Sequence, residues 1–189
     1  MKRLAVFCGA STGTSELYKE GAAELGKELA KRGITLVYGG SNAGIMGAVA
    51  NAVLDEGGKA IGVIPRLLME QETAHPHLTE LHTVNTMHER KAKMAELADG
   101  FITMPGGPGT MEEFFEIFTW SKIGVHQKPC GLLNTNNYYQ PLLTLFDHMV
   151  EQGFLQEKHR SLVLLGDSAP GLIDKLHTYE PPVLKTPAP

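Results

Sequence analysis

Six short apolar runs, each followed by an amphipathic stretch, constrain this chain more than any other feature of its sequence. The runs are LAVFC (4–8), TLVYGG (35–40), AIGVI (60–64), GFITM (100–104), KPCGLL (128–133) and SLVLL (161–165). The stretches 15–32, 44–56, 86–98, 110–122, 138–151 and 168–177 repeat apolar side chains three or four apart, the period of a helix with one buried face. A strand apolar at every position needs cover on both sides, and intervening helices supply it when the strands run parallel. The pattern predicts an α/β fold, a Rossmann-like doubly wound parallel sheet in a three-layer α/β/α sandwich. At 189 residues and 42% hydrophobic content the chain holds one well-buried core and hardly two. A single domain over 1–180 is expected. The remainder, 181–189, contains four prolines, cannot continue a helix and is expected to be a disordered tail.

In such folds ligands sit beyond the carboxyl ends of the strands, near the point where strand order reverses. Three loops that would lie there are glycine-rich: CGASTGTS after the first run, YGGSNAGIMG after the second and MPGGPGTMEE after the fourth. The first two lack the G-x-G-x-x-G fingerprint with its acidic partner, which disfavours a nicotinamide cofactor. Each reads equally as a tight turn or a ligand loop. The third is more specific. Gly106, Gly107 and Gly109 allow positive φ and close approach to a ligand, and Thr110 stands where it could cap a helix. Free N–H groups at that helix start, together with the helix dipole, suit a phosphate. The competing reading is a plain βα turn whose Glu112 and Glu113 complement the dipole from the first turn.

The charge balance excludes other classes of partner. Net charge is −4 and no Lys/Arg run exceeds a pair, so neither nucleic acid nor an anionic membrane has an electrostatic footprint here. The apolar stretch Leu4–Cys8 is too short for a signal or a membrane span, and a cytoplasmic protein is expected. Cys8 and Cys130, the only cysteines, read as reduced core thiols. His75, His77, His82 and His88 lack the i, i+4 spacing of a helical zinc site and read as solvated loop residues, so no metal is expected. Glu89 and Lys93 are spaced for an i, i+4 pair, and Met46, Met87 and Met94 read as core or pocket lining. Residues Pro65 to Asn85 form a long, weakly periodic connection, either an active-site lid carrying Glu72 or a segment containing a short helix.

Two motifs in register carry a resemblance. PGGPGTMEE matches the PGGxGTxxE signature of the Lonely Guy family, which is similar to proteins labelled "possible lysine decarboxylase", and MHERK (Met87–Lys91) matches that family's second motif. The VFCGAS start and YGGSNAGIMGAVA also fit, so the resemblance extends to about residue 180. It implies a Rossmann-like homodimer that hydrolyses nucleoside 5′-monophosphates, cytokinin riboside monophosphates and often AMP, to the free base and ribose 5-phosphate without a cofactor. It implies Arg90 and Glu113 as the catalytic pair, and Gly107, Pro108, Gly109, Thr110, Met111 and Glu112 around the phosphate and ribose. Glu72, Lys91 and Thr119 fall where the family also touches ligand. Pro108 fills a variable position, often aromatic in relatives.

The chemistry asks for the same residue types. Breaking an N-glycosidic bond passes through an oxocarbenium-like ribose, which a carboxylate can stabilise while it orients or deprotonates the attacking water. Glu113 suits that role. Arg90 stays protonated, so it either orients Glu113 or hydrogen-bonds the substrate. Lysine decarboxylation in its usual form needs pyridoxal phosphate on a Schiff-base lysine, and no lysine here has a phosphate-cup context. The alternative is a non-catalytic nucleotide-binding carrier of Rossmann-like fold, which has no need of both Arg90 and Glu113. On the helix after Thr110, Met111, Phe114, Phe115 and Phe118 form a sheet-facing stripe. Trp120 lies opposite with Ile117 beside it, to be covered by a ligand, a second subunit or a neighbouring helix.

Overall fold

The computed structural model describes residues 1–69 and 74–182. Seven parallel strands form one sheet: β1 (Arg3–Phe7), β2 (Thr35–Tyr38), β3 (Ala60–Pro65), β4 (Glu80–Val84), β5 (Gly100–Thr103), β6 (Cys130–Leu133) and β7 (Val163–Gly166). Their order is β4-β3-β2-β1-β5-β6-β7. The chain winds outward from β1 to one edge, crosses back to β5 and winds to the other edge. The reversal between β1 and β5 opens the crevice in which such folds bind ligands.

The helices follow the apolar periodicity. They are α1 (Glu16–Lys31), α2 (Gly44–Asp55), α3 (Arg66–Met69), α4 (Met87–Leu97), α5 (Pro108–Lys122), α6 (Gln140–Glu151), α7 (Glu157–Arg160) and α8 (Ala169–His177). Alternating side chains of each strand serve opposite layers. Leu4, Val6 and Cys8 join a core with α1, α2 and α8, whereas Ala5 and Phe7 join Met94 of α4 and Ile117 of α5. Beyond β6, Phe114 and Phe118 pack with Phe146 of α6. Removing a buried ring such as Phe114 would cost about 3–5 kcal/mol.

The local start signals are explicit. Ser15 Oγ accepts from Leu17 N at the start of α1, and Ser168 Oγ from Gly171 N at α8. Thr86 caps α4, its Oγ1 accepting from Glu89 N (3.1 Å), and Glu89 Oε2 reaches back past the cap to accept from Asn85 N (2.7 Å). Glu89 is therefore not paired with Lys93 as its spacing suggested; Lys93 binds Glu96 at 2.9 Å.

The connection Pro65 to Asn85 departs most from the sequence reading. It starts with α3 and ends in β4, an edge strand whose residues ELHTV are all exposed or half-buried. Lacking the continuous apolar character of the inner strands, β4 gives no strong strand signal. The short-helix reading of this segment is met by α3, while Glu72 lies outside the described residues, as does the tail from 183 onward. Nor is His75 a solvated loop residue. It is buried, its Nε2 lies 3.0 Å from Asn51 Oδ1, and its Nδ1 accepts from His77 N at 3.2 Å.

Candidate active site

A cleft of about 490 Å³ opens at the carboxyl ends of β1 and β5, where strand order reverses. That size is ordinary for a small-molecule site. The three glycine-rich loops converge on it. Cys8 to Ser11 form one wall, Gly39 and Met46 the floor, Met87 and Arg90 of α4 a second wall, and the start of α5 the third. The first two loops are thus part of the site and not mere turns. Their glycines alone could not say so, because the convergence depends on strand order.

The α5 start differs in detail from the sequence reading. Gly107, not Thr110, is the N-cap; its backbone is extended (φ −87°, ψ −161°) and no side chain caps the helix. Pro108 occupies the first turn, where its missing N–H costs nothing, and Thr110 is a buried residue of that turn. None of Gly106, Gly107 and Gly109 has positive φ. Their value is space. A Cβ on Gly106 would collide with Thr110 Oγ1, whereas Gly107 and Gly109 face open volume in the cleft. Among the described residues the amides of Gly107, Gly109 and Thr110 have no hydrogen-bond partner. An anion is the natural acceptor for such a set.

The two carboxylates lie beyond the first turn of α5, which carries no acidic residue. They are too far along to serve as complements to the dipole, whose effect fades within that turn. Glu112 sits exposed at the rim, while Glu113 is 9% exposed within the cleft. Burial pushes the Glu113 carboxyl up to about 7, against the pull of Arg90 and with a smaller push from Glu112. Arg90 is 7% exposed, and its Nε has no hydrogen-bond partner among the described residues. Its guanidinium rests on Gly39, where a Cβ would overlap it and press on Met46 Sδ at 2.9 Å. No ion pair within 4 Å engages either Arg90 or Glu113 among the described residues. A cation and a carboxyl thus share one desolvated cleft without neutralising each other by contact.

The structure gathers Arg90, Gly107, Gly109, Thr110, Glu112 and Glu113 around the cleft. It does not bring Lys91, Pro108, Met111 or Thr119 to that surface, and Glu72 lies outside the described residues. Lys91 is buried and bonded to Glu112, and to Glu116 at 3.1 Å. Burial opposes its charge, yet those two carboxylates raise its pKa above the ordinary value. Pro108 is exposed, Met111 packs against the Phe114 cluster, and Thr119 is exposed near the far end of α5. Cys8, read as a core thiol, also lines the cleft; burial, reinforced by Glu113, raises its pKa strongly and keeps it a neutral thiol. Cys130 is likewise buried and free. Ile117 needs no outside cover, since it lies in the core with Phe101 and Met94.

Known proteins resemble this chain along most of its length. The family model described as "Possible lysine decarboxylase" matches residues 46–176. The rice protein named cytokinin riboside 5′-monophosphate phosphoribohydrolase LOG is 47% identical over 180 residues, covering 95% of this chain and 74% of that one. A protein of the same enzyme name from Rhodococcoides fascians is 50% identical over 173 residues, covering 91% and 87%. Among solved structures, the molybdenum cofactor carrier protein from Chlamydomonas reinhardtii superposes with a TM-score of 0.72 at 21% identity, covering 93% of this chain and 96% of that one. The molybdenum cofactor binding protein from Rippkaea orientalis gives 0.71 at 18%, covering 94% and 96%. At those identities the last two establish a shared fold.

Proposed function

We propose, on the premise that this chain belongs to the Lonely Guy family of cytokinin riboside 5′-monophosphate phosphoribohydrolases, that it hydrolyses the N-glycosidic bond of such nucleotides. The products are the free base and ribose 5-phosphate. The observation that carries this reading is the single cleft that combines unpartnered amides at the start of α5 with the buried, unpaired Arg90 and Glu113. In this reading the 5′-phosphate docks on the amides of Gly107, Gly109 and Thr110, which fixes the ribose against Glu113 one turn along the helix. The Glu113 carboxylate faces the anomeric carbon, opposes the positive charge that develops there and holds the attacking water. Arg90 supplies hydrogen bonds to the substrate and draws Glu113 toward its ionised form.

The carrier reading has less support, because the carriers share the fold at about one fifth identity whereas the hydrolases share nearly half of the sequence. A Schiff-base lysine requires a depressed pKa, and Lys91 is shifted the other way by two carboxylates. AMP has the same phosphate, ribose and adenine and lacks only the N6 substituent, so we include it as a second substrate. We place the activity in one domain of residues 1–180, in a cytoplasmic homodimer, with Lys91 and Glu112 bracing the site. No helix among the described residues is long and apolar enough to cross a membrane. Incubation of the pure protein with isopentenyladenosine monophosphate, AMP and the corresponding nucleosides, followed by chromatography for free base, tests the assignment. Release from none of them overturns it.

A further inference from the structure

The loop before α5 is held from behind by its carbonyls. Met104 O accepts from Tyr139 Oη at 2.5 Å, Pro105 O from Gly9 N at 3.1 Å, and Gly106 O from Tyr138 Oη at 2.6 Å. Three consecutive acceptors are taken by donors from elsewhere in the chain. The amides that follow, at Gly107, Gly109 and Thr110, are left for the cleft. Acceptors satisfied by the protein and donors left open make a loop biased toward an anion.

Two of the three braces come from neighbouring residues on the β6–α6 connection, more than thirty positions away in sequence. That connection is unusually shaped. Asn136 and Asn137 both have φ near +55°, a region asparagine tolerates better than most residues. Asn134 Oδ1 accepts from Tyr139 N at 2.8 Å. The two rings that emerge are perpendicular, at 88° and 5.1 Å between centroids, so Tyr139 enters the core while Tyr138 stays 39% exposed. Tyr18 of α1 meets Tyr138 edge-on at 5.8 Å. Beside the loop lies a second cavity of about 200 Å³, bordered by Tyr18, Ile45, Gly106 and Tyr138 and sharing Ser11 and Gly107 with the cleft. On the side facing this cavity, the Tyr138 hydroxyl is the donor that holds the Gly106 carbonyl.

We propose that Tyr138 and Tyr139 are positioning residues for phosphate recognition: their hydroxyls hold Met104 and Gly106 so that the amides of Gly107, Gly109 and Thr110 converge on one anion. This rests on the nucleotide reading above and adds the residues that set its phosphate affinity. Removing either hydroxyl keeps the ring and its packing and frees one carbonyl.

The test is calorimetric affinity for ribose 5-phosphate and for isopentenyladenosine, with steady-state kinetics on isopentenyladenosine monophosphate, in wild type, Tyr138→Phe and Tyr139→Phe. Each variant should bind ribose 5-phosphate about five- to tenfold more weakly and raise KM similarly, the loss expected for one hydrogen bond. Affinity for the unphosphorylated nucleoside should hold within about twofold, and kcat within about threefold. Unchanged ribose 5-phosphate affinity in both variants overturns the brace while leaving the proposed function standing. A parallel loss of nucleoside affinity also overturns it, since that marks a general loss of structure. A wild type that binds no phosphate ester at all overturns the phosphate reading and the brace together.

Discussion

Glu113 occupies a place that disfavours its own charge, and this has consequences for both turnover and stability. Its carboxyl is pushed from 4.5 to about 7, chiefly by burial. In the unfolded chain it would ionise near the lower value. Stability is therefore greatest below about pH 4.5 as far as this group is concerned, falls as pH rises toward 7, and stays reduced above it. The cost at pH 8 is on the order of 3 kcal/mol. Glu113→Gln should accordingly melt higher than wild type at pH 8 and nearly together with it at pH 4.5 on scanning calorimetry. The same variant should lose about two orders of magnitude or more in turnover while still binding nucleotide, because it removes the charge that faces the oxocarbenium. If the carboxylate is the working form, log kcat/KM should climb with pH below about 7 and level off above, and the climb should vanish in Glu113→Gln. A profile that instead falls through pH 7 would assign Glu113 as a proton donor. Gly39 offers an independent check on Arg90. Gly39→Ala puts a methyl where the guanidinium rests, so turnover should drop by about tenfold or more with circular dichroism at 25 °C unchanged.

At the scale of elements, α5 unites the anion site, the carboxylate and the clamp to α4. Its unpartnered amides belong to its first turn and Glu113 to the next, so a phosphate held at the end of the helix sets where the ribose can lie. The nucleoside lacks that anchor. Isopentenyladenosine should therefore be cleaved at least about a hundredfold less efficiently than its 5′-monophosphate when free base is followed by chromatography; comparable rates would dissociate the loop from phosphate. Much of this device is legible in the sequence, since PGGPGT marks a helix start that admits a close ligand as well as a plain turn, and Glu113 follows at a fixed distance. Other parts are not. Thr110 resembles a cap until Pro108 and Gly107 are seen to start the helix earlier. Lys91 reads, by the resemblance, as a ligand contact beside Arg90, and only the structure shows it bound to Glu112 and Glu116. The edge strand β4 is hidden because half-polar ELHTV carries little strand signal. Tyr138 and Tyr139 look like the first residues of an amphipathic helix, and nothing local reveals that their hydroxyls reach a loop more than thirty residues back.

For the whole molecule, the far end of α5 raises the matter of assembly. Trp120 is only half-buried, and just beyond it Ile123 and Val125 are 66% and 65% exposed. Their side chains lie within six positions of one another, close enough to belong to one apolar surface that a monomer would leave in water. Ile117, for which the sequence also asked cover, is satisfied within the chain, so on this helix the argument for a partner comes from the outer group. A twofold symmetric dimer would bury the patch against its own copy, as isologous contacts do. It would also stiffen α5, the helix that carries Glu113. Light scattering at low micromolar concentration should give about twice the 20.5 kDa chain mass. Trp120→Glu and Val125→Glu place charge in the same surface, and each should lower that mass and the turnover together. Because neither residue lines the cleft, a fully active monomer would show that α5 needs no partner and that the exposed group has another purpose.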